Sequence, residues 1–245
     1  MHAHELLVHA DPESLSAAAV ARWVAACHHA VARRGRFVVA LAGGSTPRTT
    51  YVRLAERLDL PWELVVVTGG DERHVPLDHA DRHKRSARET LLAHVGVPEA
   101  HILGWGEGGS AEELAHAHAR RLVDVLGDPP AFDLVLLGLG SDAHTASLFP
   151  GTGAAAARGI TAVTTAPDGT RRLTLTAEAL SRSEEILVLV AGADKRAALA
   201  RTLRSEVDPD ALPLTALVPT GRLVVLADAA AAPGSGPANG VGVEG

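Results

Sequence analysis

The sequence has a single cysteine, Cys27, among its 245 residues. One cysteine cannot form a disulfide within the chain, which excludes a disulfide-stabilised secreted fold and fits a reducing compartment. No segment has the roughly 18 continuous apolar residues that a membrane span needs. The first residues, MHAHELLVHADPESL, also lack the basic start and apolar core of a signal peptide. We therefore expect a cytoplasmic protein with no membrane partner.

A basic excess is also missing, because Lys84 and Lys195 are the only lysines and the net charge is -6. Nucleic-acid-binding proteins normally carry a positive excess, so we expect no nucleic-acid partner. An anionic ligand must then be held by a local cluster of positive groups. The 13 histidines invite a metal hypothesis. However, His79 and His83 have a usable spacing without a third ligand nearby, so we expect no metal site.

Apolar runs and helix signals alternate along the chain. The predicted strands cover residues 5–10, 36–44, 63–70, 132–140, 171–176, 184–192 and 221–228, and the predicted helices cover 12–34, 47–58, 85–95, 110–127 and 193–204. Several strands are apolar on both faces, which is typical of a mainly parallel sheet covered by helices. We predict one α/β domain over residues 1–232, followed by a flexible tail at 233–245 that is rich in glycine and proline.

Four unusual stretches each follow a predicted strand. They are AGGSTP (42–47), TGGDERHVP (68–76), GLGSDAHTASLFPG (138–151) and AGADK (191–195). Ligands of open parallel sheets bind beyond the carboxyl ends of the strands. If these strands are parallel, the four stretches converge on one edge of the sheet.

The stretch AGGSTP is suited to holding an anion. Gly43 and Gly44 allow a close backbone approach, and Ser45 and Thr46 offer hydroxyls. Pro47 marks the start of a helix, and the first turn of a helix has free backbone N–H groups. The Gly-Lys-Ser/Thr core of a Walker loop is missing, so this is a different kind of phosphate site. The simpler alternative is a turn in which Ser45 or Thr46 caps the helix.

The stretch GSDAHTASLFPG places Asp142 two residues before His144. A histidine oriented by a carboxylate can act as a base near neutral pH, although a single loop histidine can equally be structural. Ser147 is a poor candidate nucleophile, because no Gly-x-Ser-x-Gly elbow surrounds it.

The remaining candidates are charged residues. Asp71, Glu72 and Arg73 are consecutive, which is typical of a solvated turn, but at a ligand-binding edge the arginine could polarise a carbonyl. Arg172 and Lys195 could reach back to an anion in the glycine loop, although each alone would be interpreted as a surface charge.

Together these stretches resemble the 6-phosphogluconolactonases of the glucosamine-6-phosphate isomerase/6-phosphogluconolactonase superfamily. The resemblance is carried by LAGGSTPRTTY (41–51), DERHVP (71–76), DLVLLGLGSDAHTASLFPG (133–151), RLTLT (172–176) and GADK (192–195). It implies a Rossmann-like three-layer fold, no cofactor and no obligatory metal, in a monomer or homodimer. It also implies hydrolysis of a small-molecule substrate, the sugar-phosphate lactone 6-phospho-D-glucono-1,5-lactone, in the pentose phosphate pathway.

The resemblance also implies roles for individual residues. His144 would activate water and then protonate the departing ring oxygen, and Arg73 would stabilise the oxyanion. Asp142, together with Asp71, would orient His144 or the sugar hydroxyls. The residues implied in phosphate binding are Gly43, Gly44, Ser45, Thr46, Arg172 and Lys195.

The sequence departs from the family pattern at three places. Ala143 replaces a usual glycine, and at positive φ it would add strain of about 1 kcal/mol. Ser141 replaces a common proline. Arg82 and His83 stand where the family usually has Ser-Asn, in a segment close to the expected sugar position.

Two alternative functions remain open at this point. An amino-sugar-phosphate isomerase or deaminase would usually carry DEY and a glutamate-containing NEP, whereas this chain has Arg73 after Asp-Glu and no acid beside Phe149 and Pro150. A catalytically weakened sugar-phosphate sensor would usually carry a DNA-binding segment. The first predicted strand starts near Glu5 and the net charge is negative, so we do not expect such a segment.

Overall fold

The computed structural model describes residues 5–76, 79, 82–204 and 208–234. Its strands are β1 (Glu5–His9), β2 (Phe37–Leu41), β3 (Val65–Gly69), β4 (Asp71–Arg73), β5 (Ile102–Leu103), β6 (Phe132–Gly138), β7 (Thr161–Thr165), β8 (Arg171–Leu175), β9 (Ser183–Val190) and β10 (Arg222–Asp228). Its α-helices are α1 (Pro12–Arg34), α2 (Ser45–Ala55), α3 (His83–Ala87), α4 (Ala111–Leu126), α5 (Ala177–Ser181) and α6 (Arg196–Thr202).

Within the described ranges, seven parallel strands form the central sheet in the order β1-β10-β9-β6-β2-β3-β5. From β2 the chain continues to β3 and β5 on one side, whereas from β6 it continues to β9 and β10 on the other. The winding therefore reverses between β2 and β6. Such a reversal opens a crevice at the carboxyl ends of the two strands, which is where open α/β sheets bind ligands.

Both faces of the sheet are buried, which explains the continuous apolar runs of its strands. On β2, Phe37 and Val39 pack in the core under α1 and α2, whereas Val38 and Ala40 pack in the core on the opposite face. That opposite core also contains apolar residues of α4, α5 and α6. The prediction of a three-layer α/β fold with a mainly parallel sheet is confirmed.

A small antiparallel sheet, ordered β4-β8-β7, lies beside the main one. The chain leaves the central sheet at Gly70, whose N–H donates to the Leu41 carbonyl at 2.8 Å and whose carbonyl accepts from the Leu175 N–H at 2.8 Å. The Asp-Glu-Arg triplet is therefore a strand, and the interpretation of it as a solvated turn is wrong. Asp71 and Glu72 are buried.

Other differences from the predicted elements are small. The helix predicted at 85–95 begins at His83 and continues after α3 as one π-helical turn, Arg88–Leu92. The helix predicted at 193–204 starts with a 3-10 turn before α6. Most of the predicted tail, from residue 235 onward, lies outside the described residues. In the part of the chain that is described, no helix is long and apolar enough to cross a membrane.

Candidate active site

The four stretches that follow β2, β3, β6 and β9 meet around a cleft with a volume of about 280 Å³. This is close to the lower end of the usual range for small-molecule sites, ~300 Å³. Nine of the ten site residues predicted from the sequence line the cleft: Gly43, Gly44, Ser45, Thr46, Asp71, Arg73, His144, Arg172 and Lys195. The tenth, Asp142, contacts one of these nine.

Asp142 fixes the imidazole of His144. Its Oδ1 lies 2.6 Å from His144 Nδ1 and also accepts the backbone N–H of His144 at 3.1 Å. Partial burial acts to raise the pKa of the Asp142 carboxyl, but the hydrogen bonds and charge of His144 outweigh it, so the pKa is lowered. An ionised carboxylate can only accept, so Nδ1 carries the proton and Nε2 keeps its lone pair.

The loop that presents His144 contains two alanines with left-handed backbone. Ala143 has φ 78° and Ala146 has φ 46°. Ala143 therefore has the positive φ at which a non-glycine residue is strained, at a cost of about 1–2 kcal/mol. The methyl group of Ala143 is fully buried, and burial of one such group contributes about 0.8 kcal/mol. Burial therefore offsets a large part of the strain.

The glycine loop ends directly on α2. Gly44, with φ 101°, is the N-cap and has no side chain with which to cap the helix. The alternative in which Ser45 or Thr46 caps the helix is therefore wrong, and Ser45 is instead the first helical residue. Tyr51 holds the loop in place, because its hydroxyl donates to the Ala42 carbonyl at 2.8 Å and accepts the Ala42 N–H at 3.0 Å. Ser45 and Thr46, whose backbone N–H groups begin α2, line the cleft, and a helix start of this kind is a typical anion-binding arrangement.

Two arginines face each other across the small sheet. Arg73 on β4 and Arg172 on β8 are directly opposite in the antiparallel ladder, and both line the cleft. Like charges at opposed positions repel, so the pair favours an anion between or beside them. Lys195 adds a third cation in the 3-10 turn that follows β9, where its Nζ lies 3.0 Å from Asp194 Oδ2.

Asp71 holds a second imidazole, that of His83. Asp71 Oδ1 lies 3.1 Å from His83 Nδ1, and Asp71 Oδ2 accepts the Ser147 hydroxyl at 2.6 Å. Complete burial acts to raise the pKa of the Asp71 carboxyl, but the charge and hydrogen bond of His83 and the hydroxyl of Ser147 lower it to about 2. Orientation of His144, one predicted role of Asp71, comes in the structure from Asp142.

Sequence reasoning did not identify Glu72 as important. Its buried carboxylate accepts three backbone N–H groups, those of Arg73 at 2.9 Å, His83 at 2.8 Å and Lys84 at 2.9 Å. It also lies 3.7 Å from Arg82 Nε. Glu72 thereby attaches the start of α3 to β4 and brings His83 to the cleft. Only the departure from Ser-Asn at 82–83 pointed to this segment.

Comparison with known proteins identifies the family. The profile of glucosamine-6-phosphate isomerases/6-phosphogluconolactonase matches residues 10–225. A 6-phosphogluconolactonase of a Synechocystis species is 41% identical over 204 residues, covering 81% of this chain and 85% of that protein. One from a Nostoc species is 39% identical over 207 residues, covering 82% and 86%.

The fold gives the same result. The structure of 6-phosphogluconolactonase from Trypanosoma brucei superimposes with a TM-score of 0.83 at 30% identity, covering 94% of this chain and 98% of that one. The sequence and structure comparisons thus point to the same family. The chain belongs to the glucosamine-6-phosphate isomerase/6-phosphogluconolactonase family.

Proposed function

We propose that this protein is a 6-phosphogluconolactonase, an ester hydrolase of the oxidative branch of the pentose phosphate pathway. Its substrate is 6-phospho-D-glucono-1,5-lactone and its product is 6-phospho-D-gluconate. Similarity to lactonases over about four-fifths of the chain supports this assignment. The observation that carries it is the meeting, in one cleft, of the Asp142-oriented His144, the opposed arginines and the start of α2.

His144 acts as the general base. The Nδ1–H group of His144 donates a hydrogen bond to Asp142 and keeps its proton. The Nε2 lone pair then accepts a proton from water as the water oxygen attacks the lactone carbonyl carbon. Asp142 then stabilises the imidazolium that forms. His144 subsequently returns this proton to the ring oxygen as the carbon–oxygen bond of the lactone breaks, which yields the open-chain acid.

Arg73 acts on the developing negative charge. Attack of water turns the carbonyl oxygen into an oxyanion, and a guanidinium that is already in place stabilises it without reorganisation. Arg73 suits this role because its backbone is fixed in β4, with its N–H donated to Glu72 at 2.9 Å. In a cleft partly shielded from solvent such a charge contributes more than it would in water.

The 6-phosphate binds at the other end of the cleft. Gly43, Gly44, Ser45 and Thr46 offer backbone N–H groups and hydroxyls at the α2 start, where the helix dipole favours an anion. The supporting cations are Arg172 and Lys195. Fixing the phosphate holds the lactone carbonyl at a constant distance from His144, which converts binding energy into orientation. Asp71 contributes to substrate binding by holding the ring of His83 and by lining the cleft.

The proposed reaction uses neither a metal nor a cofactor, and its partner is the small lactone rather than nucleic acid or membrane. We place it in the cytoplasm, in a monomer or homodimer whose catalytic domain spans residues 1–232. The only cysteine, Cys27, is buried in the core, and burial raises the pKa of its thiol to about 11. Such a thiol is unreactive and needs no oxidising compartment.

The test is a comparison of lactone hydrolysis with and without the protein, because this lactone also opens spontaneously. The product is followed with a coupled dehydrogenase, and acid release is followed by pH-stat. We expect saturable hydrolysis far above the spontaneous rate and no ketose phosphate from glucosamine 6-phosphate. Ketose phosphate formation, or binding of 6-phosphogluconate without hydrolysis of the lactone, would overturn the proposal.

A further inference from the structure

A second imidazole–carboxylate pair lies in the cleft besides that of His144. The ring of His83 packs on Gly43 so closely that a Cβ at that glycine would lie 2.2 Å from the ring. The His83 side chain is only 19% exposed. The ring is therefore held in one position, between the glycine loop and β4.

The hydrogen bonds around His83 define its tautomer. Asp71 is an acceptor on both oxygens, because Ser147 donates to Oδ2 and Asp71 Oδ1 faces His83 Nδ1 at 3.1 Å. His83 Nδ1 must then carry a proton, so in the neutral ring Nε2 is an acceptor. Arg73 Nη1 lies 3.1 Å from this Nε2, and a guanidinium can only donate.

We propose that His83 is a positioning residue, which in its neutral form accepts a hydrogen bond from Arg73 and holds that guanidinium at the reacting carbonyl. The inference rests on the proposed role of Arg73 as the oxyanion-stabilising group. Protonation of Nε2 turns the acceptor into a donor that faces a cation, and Arg73 loses this support. Activity then depends on the ionisation of His83.

The charged groups that face His83 set the direction of its ionisation. Burial acts to lower the pKa of the imidazole, whereas the charges of Asp71 and Glu72 raise it and Arg73 lowers it again. The net effect is a raised pKa, above the ordinary value of about 6.5. The glycine loop under the ring contributes no charge. Activity is therefore expected to increase as the pH rises above the ordinary histidine value of about 6.5 and His83 loses its proton.

Two variants separate the two ring nitrogens. His83→Gln places an amide oxygen near the position of Nε2, so it still accepts from Arg73 but does not titrate. His83→Asn is shorter, so it donates to Asp71 but does not reach Arg73. We expect H83N to lower kcat by about tenfold, a fraction of the 10²–10³ loss of a whole oxyanion donor, with KM within about threefold of the wild-type value.

The pH dependence of kcat distinguishes the proposed role of His83 from a purely structural one, which would leave that dependence unchanged. We expect H83Q to keep kcat within about threefold of wild type on the alkaline plateau of the pH profile, where His83 is neutral. We also expect H83Q to lose the ionisation, with a raised pKa, that His83 gives to the wild-type profile. Wild-type kcat and pH profile in both variants would overturn the proposal. An equal loss of kcat in H83Q and H83N would also overturn it.

Nuclear magnetic resonance tests the same inference without any turnover. The imidazole ¹⁵N signals of His83, assigned by their absence in H83Q, are expected to show a proton on Nδ1 and none on Nε2 at high pH. In Arg73→Met the ionisation of His83 is expected to move to higher pH, since a facing cation is lost. A proton on Nε2 would overturn the proposal, whereas missing lactone hydrolysis in the wild-type protein would overturn the proposed function only.

Discussion

At the scale of single residues, Gly140 has the most demanding surroundings near His144. A Cβ built on Gly140 would lie 2.2 Å from His144 Nδ1 and 2.3 Å from Asp142 Oδ1. Contacts below 3.0 Å do not occur with real Cβ atoms. The requirement for glycine therefore comes from the imidazole–carboxylate pair, which lies directly against the backbone.

We predict that Gly140→Ala separates His144 from Asp142 and lowers kcat by about 10²-fold or more, because an unoriented imidazole is a poor general base. The matched control is Gly96→Ala, an exposed position outside the cleft at which a Cβ would meet nothing within 4 Å. Both variants are assayed for lactone hydrolysis, and circular dichroism monitors their folding. A wild-type kcat in the Gly140 variant would refute the importance of the pair.

At the scale of elements, Glu72 connects β4 to α3. Its two oxygens accept from three backbone N–H groups, and it is 1% exposed. Replacement by glutamine converts one of these oxygens into an NH₂ group that faces donors. It also removes the charge that faces the buried Arg82.

We predict that Glu72→Gln lowers the free energy of unfolding by about 2–4 kcal/mol, the usual cost of breaking a buried, hydrogen-bonded charge pair. The control is Glu89→Gln, which removes an exposed pair with Arg85 and should change the free energy of unfolding by less than about 0.5 kcal/mol. Urea denaturation measures both. Equal midpoints for the two variants would mean that Glu72 has no special stabilising role.

The sequence predicts the long elements and the convergence of the site loops well, for physical reasons. Helix α1 has the predicted bounds because Asp11, Pro12 and Gly35 are local start and stop signals. Strands such as β6 are apolar on both faces, which marks a buried parallel sheet. These signals need no knowledge of distant residues.

The elements that the sequence did not predict depend on distant partners. The two-residue strand β5 pairs with β3, and β4 exists only because it pairs with β8 about one hundred residues later. The pair of His83 with Asp71 likewise crosses 12 positions and two elements. None of these three features has a local hydrophobic period or turn signal in the sequence, so only the folded arrangement reveals them.

At the scale of the whole molecule, one buried histidine couples folding to pH. His118 on α4 stacks on Trp105 with ring centroids 4.0 Å apart, and its Nε2 lies 3.1 Å from Thr68 Oγ1. Burial lowers the pKa of this imidazole to about 3. The ring therefore stays neutral in the folded protein and takes up a proton when the chain unfolds in mild acid.

Burial of neutral His118 makes the unfolding free energy increase with pH. The unfolded pKa is about 6.5 and the folded one is lower, so the stabilisation is complete above pH 6.5 and is lost as the pH falls toward 3. We predict that His118→Gln reduces the pH slope of the unfolding free energy in this window by about 1.4 kcal/mol per pH unit. The control His116→Gln, an exposed position on the same helix, should keep the wild-type slope. Denaturant melts between pH 4 and 7 measure it, and a wild-type slope in the His118 variant would contradict this coupling.

The central claim is that His144 activates water against a sugar-phosphate lactone, and the most direct test is kcat for lactone hydrolysis by His144→Ala. The account predicts a fall of about 10²–10⁴-fold, the usual contribution of a general base, toward the spontaneous rate. Affinity for 6-phosphogluconate should stay within about threefold, because the phosphate cradle at the start of α2 is untouched. Hydrolysis by the variant at the wild-type rate would contradict the account.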